Sequence, residues 1–302
     1  MARLLPRRRL VLGALGAMTS ACAASRPPAA AEARGAPAFA EIERRVGGRV
    51  GVFAVDTATG RQLAHRPDER FAMCSTFKWV LAAAVLSRVD RKELSLEERV
   101  PFGEADLLEY APVTRKALAS GADERGMSVG DLARAAVTIS DNTAANLLLK
   151  KVDGPAGLTR FMRSLGDPVT HLDRDEPTLN TNEPGDPRDT TSPRAMVDLM
   201  QGLLCGDALS PAGRAQLLDW LRACETGRER LRAGAPADWS VGDKTGTGRR
   251  GAANDVAILS PPGRAPVLVA AYLSDGPAPT PTLAAAHADI ARRVVWELQP
   301  RR

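Results

Sequence analysis

Strand-forming sequence stands at the two ends of this chain and helix-forming sequence lies between them. That division constrains the fold more than any other feature. Residues 49–66, RVGVFAVDTATGRQLAHR, hold two alternating apolar runs around a turn-rich link from Asp56 to Gly60, the pattern of a β-hairpin. Three more strand patterns come late, at 239–248 (WSVGDKTGTG), 252–260 (AANDVAILS) and 265–275 (APVLVAAYLSD). Glycine and proline turn signals separate them, as in an antiparallel meander. Helical patterns start at Phe39 and recur over 75–89, 128–140, from 143, and over 193–204, 210–223 and 281–297. Strands segregated from helices predict an α+β fold. The expected architecture is a five-stranded antiparallel sheet flanked by helices. An all-helical lobe, about 76–224, is inserted between N-terminal and C-terminal strands, and the α/β lobe takes about 39–75 and 225–302. A cleft between lobes is the natural place for a site.

One interval breaks the helical periodicity. Gly166 to Thr191 carries Pro168, Pro177, Pro184 and Pro187 among several aspartates and asparagines. It reads as a long surface loop, and such loops in compact domains are usually functional. The N-terminus is set apart by its chemistry. Arg3, Arg7, Arg8 and Arg9 precede a short apolar stretch, Leu10 to Met18, and then small residues. That is the layout of an export signal, and the stretch is too short to span a bilayer. Arg7-Arg8-Arg9-Leu10-Val11 also resembles a twin-arginine signal. Cleavage after Ala23 releases a soluble protein, whereas cleavage before Cys22 makes that cysteine a lipid attachment point. The expectation is an export signal over 1–23, an Ala/Pro-rich leader over 24–38, and a periplasmic or secreted product.

The net charge of +5 belongs mainly to that signal. Residues 1–21 hold four of the 41 basic residues and no acid, so the remainder carries 37 basic against 36 acidic residues. No basic run in the remainder argues for nucleic acid. Cys74, Cys205 and Cys224 remain after cleavage, an odd count that leaves at least one free thiol. Cys205 and Cys224 lie in successive helical segments and can pair in an oxidising compartment, or can be small buried residues. Only three histidines occur, His65, His171 and His287, and they are scattered along the chain. That is a poor basis for a metal-dependent hydrolase.

Three short motifs carry chemistry. In CSTFKWVLAAAVL, residues 74–86, Ser75 and Lys78 stand three apart and so share a helical face. An amine of lowered pKa can activate a serine, and free N–H groups at a helix start stabilise negative charge. Alone, the pair also fits an N-capping serine and a surface lysine. Ser140-Asp141-Asn142 joins two helices. Its hydroxyl can relay a proton and its amide can hold a carbonyl, but the same residues make ordinary caps. Lys244-Thr245-Gly246, followed by Thr247 and Gly248, offers a cation and hydroxyls to a carboxylate. Glycine there lets a ligand approach the strand, or marks a weakened strand end.

In this order Ser-x-x-Lys, Ser-Asp-Asn and Lys-Thr-Gly are the signature of class A β-lactamases and penicillin-binding proteins. From about Phe39 onward the chain resembles the class A serine β-lactamases. EPTLN, residues 176–180, resembles the Glu-x-x-Leu-Asn motif that class A enzymes carry and penicillin-binding transpeptidases generally lack. A carboxylate with an amide four residues on can deprotonate the water that clears an acyl-enzyme, a contribution of roughly 10²–10⁴-fold.

The resemblance implies hydrolysis of penicillin- and cephalosporin-type antibiotics through a serine acyl-enzyme, giving resistance. Ser75 would be acylated and Lys78 would tune it, with the choice between Lys78 and Glu176 as acylation base left open. Ser140 would pass a proton to the lactam nitrogen. Glu176 with Asn180 would activate water, and the N–H groups of Ser75 and Thr247 would form the oxyanion hole. Lys244, Thr245, Gly246 and Thr247 would bind the drug's carboxylate, Asn142 its side-chain amide, and Tyr110 would wall the cleft. Arg230 is assigned as an extra carboxylate anchor, because Ala252-Ala253 stand where many relatives carry arginine. Arg174 and Asp189 resemble the pair that staples the loop, and Glu176-Pro177 is an X–Pro bond open to the cis form. Segment 115–126 looks a few residues longer than usual. Gly248 stands where some carbapenem-hydrolysing relatives place the cysteine that pairs with Cys74. The resemblance implies no cofactor, no metal, a small-molecule β-lactam partner and a monomer.

Overall fold

The computed structural model describes residues 36–121 and 125–298. The expected export signal and the leader up to residue 35 lie outside these residues, as does 122–124 of the long segment. Residues 36–38, expected in the leader, already belong to helix α1 (Ala36–Val46). Strands β1 (Arg49–Asp56) and β2 (Gln62–His65) form the hairpin. Two-residue strands β3 (Phe71–Ala72), β4 (Arg99–Val100), β5 (Met127–Ser128) and β6 (Thr190–Thr191) pair as β3 with β6 and β4 with β5. The meander is β7 (Ser240–Thr247), β8 (Ala253–Ser260) and β9 (Val267–Ser274).

The main sheet runs in the order β2-β1-β9-β8-β7 with antiparallel neighbours. Val52 of β1 lies opposite Ala271 of β9. An early strand therefore borders the last one, and the chain between is an insertion. It contains α2 (Phe77–Asp90), α3 (Pro112–Ala119), α4 (Val129–Thr138), α5 (Asn142–Lys150), α6 (Gly154–Ser164), α7 (Pro193–Met200) and α8 (Pro211–Arg222). The short α9 (Leu231–Gly234) and the long α10 (Thr280–Leu298) flank the meander in sequence. Helices α3 and α6 fall where no helical pattern stands out. Each has proline in its first two positions, which presets φ where the helix needs no N–H.

Every residue of β1 from Val50 to Asp56 is buried, because helices cover both faces of the sheet. On one face Val50, Val52 and Val269 pack with Phe39 and Ile42 of α1 and Ile290 and Val294 of α10. On the other, Phe53 and Val55 join Trp79, Leu81 and Met196 of the inserted lobe. Helix α2 is buried continuously from Phe77 to Ser87, Lys78 included. Each large apolar side chain it buries contributes about 1.5–3 kcal/mol, and that burial draws the lysine into the interior. Strand β7 ends the sheet, and the 3-10 turn Cys74–Thr76 abuts it. A Cβ on Gly246 would stand 2.7 Å from the Met73 carbonyl oxygen. The glycine therefore admits this turn against the strand, rather than a ligand alone.

Candidate active site

Ser75 lies in the 3-10 turn that precedes α2, and no side-chain cap closes either the turn or the helix. Its hydroxyl instead donates to Glu176 Oε1 at 3.0 Å. The ordinary reading of Ser75 as an N-cap is therefore set aside. Cys74, one residue earlier, takes a left-handed φ of 46°, a conformation costing about 1–3 kcal/mol that persists where surroundings over-determine it. Lys78 Nζ donates to the Ser140 carbonyl at 2.9 Å and to Asn142 Oδ1 at 2.6 Å, and lies 2.9 Å from Glu176 Oε1. Lys78 is fully buried, so the surface-lysine alternative fails as well.

Ser140 has φ 67° and stands between α4 and α5. The cap of α5 is the next residue, Asp141, whose side chain accepts from the Ala144 N–H. That leaves the Ser140 hydroxyl free to accept from Lys244 Nζ at 3.0 Å, with Lys78 Nζ at 3.4 Å. Asp141 also accepts from the backbone of Val113 and Thr114, tying α3 to the junction. Tyr110 is half exposed and its hydroxyl donates to the Ile139 carbonyl at 3.2 Å.

The loop supplies the carboxylate. Asn180 Nδ2 donates to Glu176 Oε2 at 2.6 Å. The Asn146 side chain of α5 holds the Glu176 backbone twice, accepting from its N–H at 3.0 Å and donating to its carbonyl at 2.8 Å. Arg174 Nε donates to Asp189 Oδ2 at 2.6 Å across the base of the loop, and the Glu176-Pro177 bond is cis. On the opposite wall, Arg230 donates to Thr247 Oγ1 at 2.7 Å and to the carbonyls of Gly246 and Asn254. Thr226 and Thr245 share a hydroxyl–hydroxyl bond of 2.6 Å. A cavity of about 350 Å³ is lined by Ser75, Tyr110, Ser140, Asn142, Asn180, Thr226, Arg230, Thr245 and Thr247.

The comparisons with known proteins agree with this geometry. A family model described as "Beta-lactamase enzyme family" matches residues 36–298. The chain is 49% identical over 235 residues to the "Carbapenem-hydrolyzing beta-lactamase KPC" of Klebsiella oxytoca, covering 78% of each chain. It is 50% identical over 268 residues to "Beta-lactamase L2" of Stenotrophomonas maltophilia, covering 88% of this chain and 86% of that one. Among solved structures, "Ancestral (GNCA) Beta-lactamase class A" superposes with a TM-score of 0.84 at 56% identity, covering 87% of this chain and 99% of that chain. The chain belongs to the class A β-lactamase family. It is a hydrolase that opens the β-lactam ring through a serine acyl-enzyme, and that reaction gives antibiotic resistance.

The electrostatics of this β-lactamase follow from burial set against neighbours. Burial pushes the Lys78 ammonium below its usual value, against the pull of Glu176. Burial alone would raise Glu176, but the Lys78 charge and the hydrogen bonds from Lys78, Asn180 and Ser75 outweigh it and hold the carboxyl low. Lys244 is pushed down to about 8, first by burial and then with a contribution from the Lys78 charge. The Cys74 thiol is pushed up to about 12, mainly by burial, which makes it a poor nucleophile.

Every sequence-derived site residue lies in or beside this cleft, from six separated stretches of chain. Two partners are not legible in sequence. Thr226 and Asn146 belong to no motif and acquire roles only through what the fold sets beside them. All three described cysteines are free: Cys74 and Cys224 are buried, but Cys205 is exposed, contrary to the expectation of a small buried residue.

Proposed function

We propose that Ser75 carries the acyl group and that Glu176 is the base in both halves of the reaction. The observation that carries this reading is one carboxylate oxygen, Glu176 Oε1, 3.0 Å from Ser75 Oγ and 2.9 Å from Lys78 Nζ. The Ser140 carbonyl, Asn142 Oδ1 and Glu176 Oε1 surround Lys78 Nζ at 2.9, 2.6 and 2.9 Å. Three acceptors, one of them charged, suit an ammonium with its three donors. Lys78 is then a fixed positive charge in the resting enzyme, and the carboxylate takes the serine proton.

Ser75 Oγ attacks the lactam carbonyl carbon, and the developing oxyanion is held by the N–H groups of Ser75 and Thr247. Ser140 Oγ accepts from Lys244 at 3.0 Å and so keeps its own proton to give to the lactam nitrogen as the C–N bond breaks. Lys78 then reprotonates Ser140 across 3.4 Å and recovers a proton from Glu176. Water held by Glu176 and Asn180 next loses a proton to Glu176 and attacks the ester carbon, and Glu176 returns that proton to Ser75 Oγ, 3.0 Å away, as the ester C–O bond breaks. Lys244, Thr245, Gly246 and Thr247, with Arg230, bind the drug's carboxylate. Asn142 receives the side-chain amide, and Tyr110 forms the rim.

The test is Glu176→Ala with a chromogenic cephalosporin. The expected result is one stoichiometric burst that is slower than in the unaltered enzyme because acylation also loses its base, steady-state turnover lower by roughly 10²–10⁴-fold, and an acyl mass on Ser75. Deacylation at the normal rate would refute the assignment. We further propose export as a soluble monomer, with cleavage after Ala23. The basic, apolar and small-residue layout of 1–23 supports it, and no helix among the described residues is long and apolar enough to cross a membrane. Intact mass of the exported protein is the check, and a diacylglycerol on Cys22 would refute it.

A further inference from the structure

A second cavity, of about 540 Å³, is lined by loop residues 179 and 181–188 and does not include Ser75. Five arginines line it, Arg49, Arg70, Arg174, Arg188 and Arg250, against three acids, Glu183, Asp186 and Asp275. Three of the arginines are matched by carboxylates. Arg49 pairs with Asp275 at 2.9 Å, Arg174 with Asp189 at 2.6 Å, and Arg188 with Asp186 at 2.9 Å. Arg70 and Arg250 have no carboxylate within 4.0 Å among the described residues. Arg70 Nη1 donates to the Val169 carbonyl and to Thr190 Oγ1, contacts that aim the guanidinium and leave its charge uncompensated. Thr181, also lining the cavity, has a buried hydroxyl with no partner. The lining thus sets two exposed guanidiniums without a carboxylate partner, against one acid without a cationic partner among the described residues, Glu183, around a space of ligand size. Arginine forks match the geometry of phosphate and carboxylate groups.

We propose that this cavity is a site for a small polyanion, one bearing two or more closely spaced phosphate or carboxylate groups, and that its occupation clamps the loop. Arg70 precedes β3, in the body of the protein, whereas Arg250 lies in the turn between β7 and β8. That turn is already tied to the loop: Arg249 N–H donates to the Asn180 carbonyl at 3.0 Å, and Asn182 Nδ2 reaches the carbonyls of Arg249 and Arg250 at 3.2 and 3.3 Å. An anion held by Arg70 and Arg250 joins the body of the protein to the turn whose Arg249 N–H holds the Asn180 carbonyl. The consequence for turnover rests on the reading of Glu176 and Asn180 given above, whereas the binding itself does not.

The experiment is calorimetric titration of pyrophosphate and, separately, citrate into the full chain, with ionic strength held constant by sodium chloride. Saturable one-to-one binding is expected. Arg70→Ala and Arg250→Ala are each expected to weaken it about tenfold or more, as loss of a charge-assisted pair implies. Tighter binding of pyrophosphate would assign phosphate as the ligand chemistry, and tighter binding of citrate would assign carboxylate. With the tighter probe bound, amide hydrogen exchange over residues 176–188 is expected to slow. No saturable heat from either probe overturns the proposal. So does binding that is unchanged in the double variant, or that is lost once an acyl group fills the Ser75 cleft. Rapid deacylation by Glu176→Ala would defeat the catalytic assignment and leave this titration standing.

Discussion

Lys244→Met separates what the site needs from what the fold prefers. Lys244 is fully buried and its ammonium is pushed from 10.5 down to about 8 by burial. Keeping it charged at pH 7 therefore costs the fold about 3 kcal/mol. Methionine has similar length and no charge, so it removes that cost. It also strips a donor from the Thr245 carbonyl, now served at 2.8 Å, and from Ser140 Oγ, at 3.0 Å, a loss of about 1–2 kcal/mol together. The variant is expected to be more stable at pH 7 by about 1–2 kcal/mol, or about 2–6 °C in Tm, while kcat/KM collapses. The sign with pH follows from linkage. The folded value is depressed, so between about 8 and 10.5 the unfolded chain binds more protons, and wild-type stability climbs as pH rises through that window. The advantage of methionine should therefore shrink between pH 7 and pH 10. Urea unfolding of both proteins at the two pH values measures it. A methionine variant less stable at pH 7, or a stability difference that does not move with pH, refutes the reasoning.

Other outcomes follow from single contacts. The kcat/KM of the unaltered enzyme should fall on the alkaline side with a pKa near 8, where Lys244 loses the charge that attracts the drug's carboxylate; Lys244→Arg should move that limb upward, and a limb that stays in place would exclude Lys244 as its source. Buried His287 is depressed to about 3 by burial, so unfolding takes up a proton between pH 6.5 and 3 and stability should drop by about 1.4 kcal/mol per pH unit as pH falls below 6.5; denaturant titrations of His287→Gln should show a shallower acid dependence. Asn146→Ala removes both side-chain bonds to the Glu176 backbone and should lower kcat more than it raises KM, with slow deacylation in single-turnover assays. A Cβ on Gly248 would stand 2.6 Å from Cys74 Sγ, so Gly248→Cys should form a disulfide on oxidation, seen as the loss of two titratable thiols.

Much of the site was legible because each motif is local. Ser75 and Lys78 share one turn of chain, Glu176 and Asn180 are four apart, and Lys244 to Thr247 are continuous. The loop and its Arg174–Asp189 staple were legible through proline content and family resemblance. Asn146 and Thr226 were not, since an asparagine inside a helix and a threonine between helices look the same whether or not something leans on them. Helices α3 and α6 escaped because their apolar faces are short and they open on proline or glycine-proline. In sequence Gly246 suggests room for a ligand, whereas the fold uses that space for the Met73 carbonyl.

By itself the sequence determined the order of the five main strands and of the helices with long apolar faces, the chemistry of each motif and the family they belong to. Those properties depend on periodicity and on neighbours along the chain. Only the tertiary structure decided that Ser75 is not a cap, that Lys78 is buried and ringed by acceptors, and that Ser140 sits between two ammonium groups. These are statements about distance across the fold. They arise because β1 lies along β9, which makes the helical lobe an insertion and presses the start of α2 against the edge strand β7.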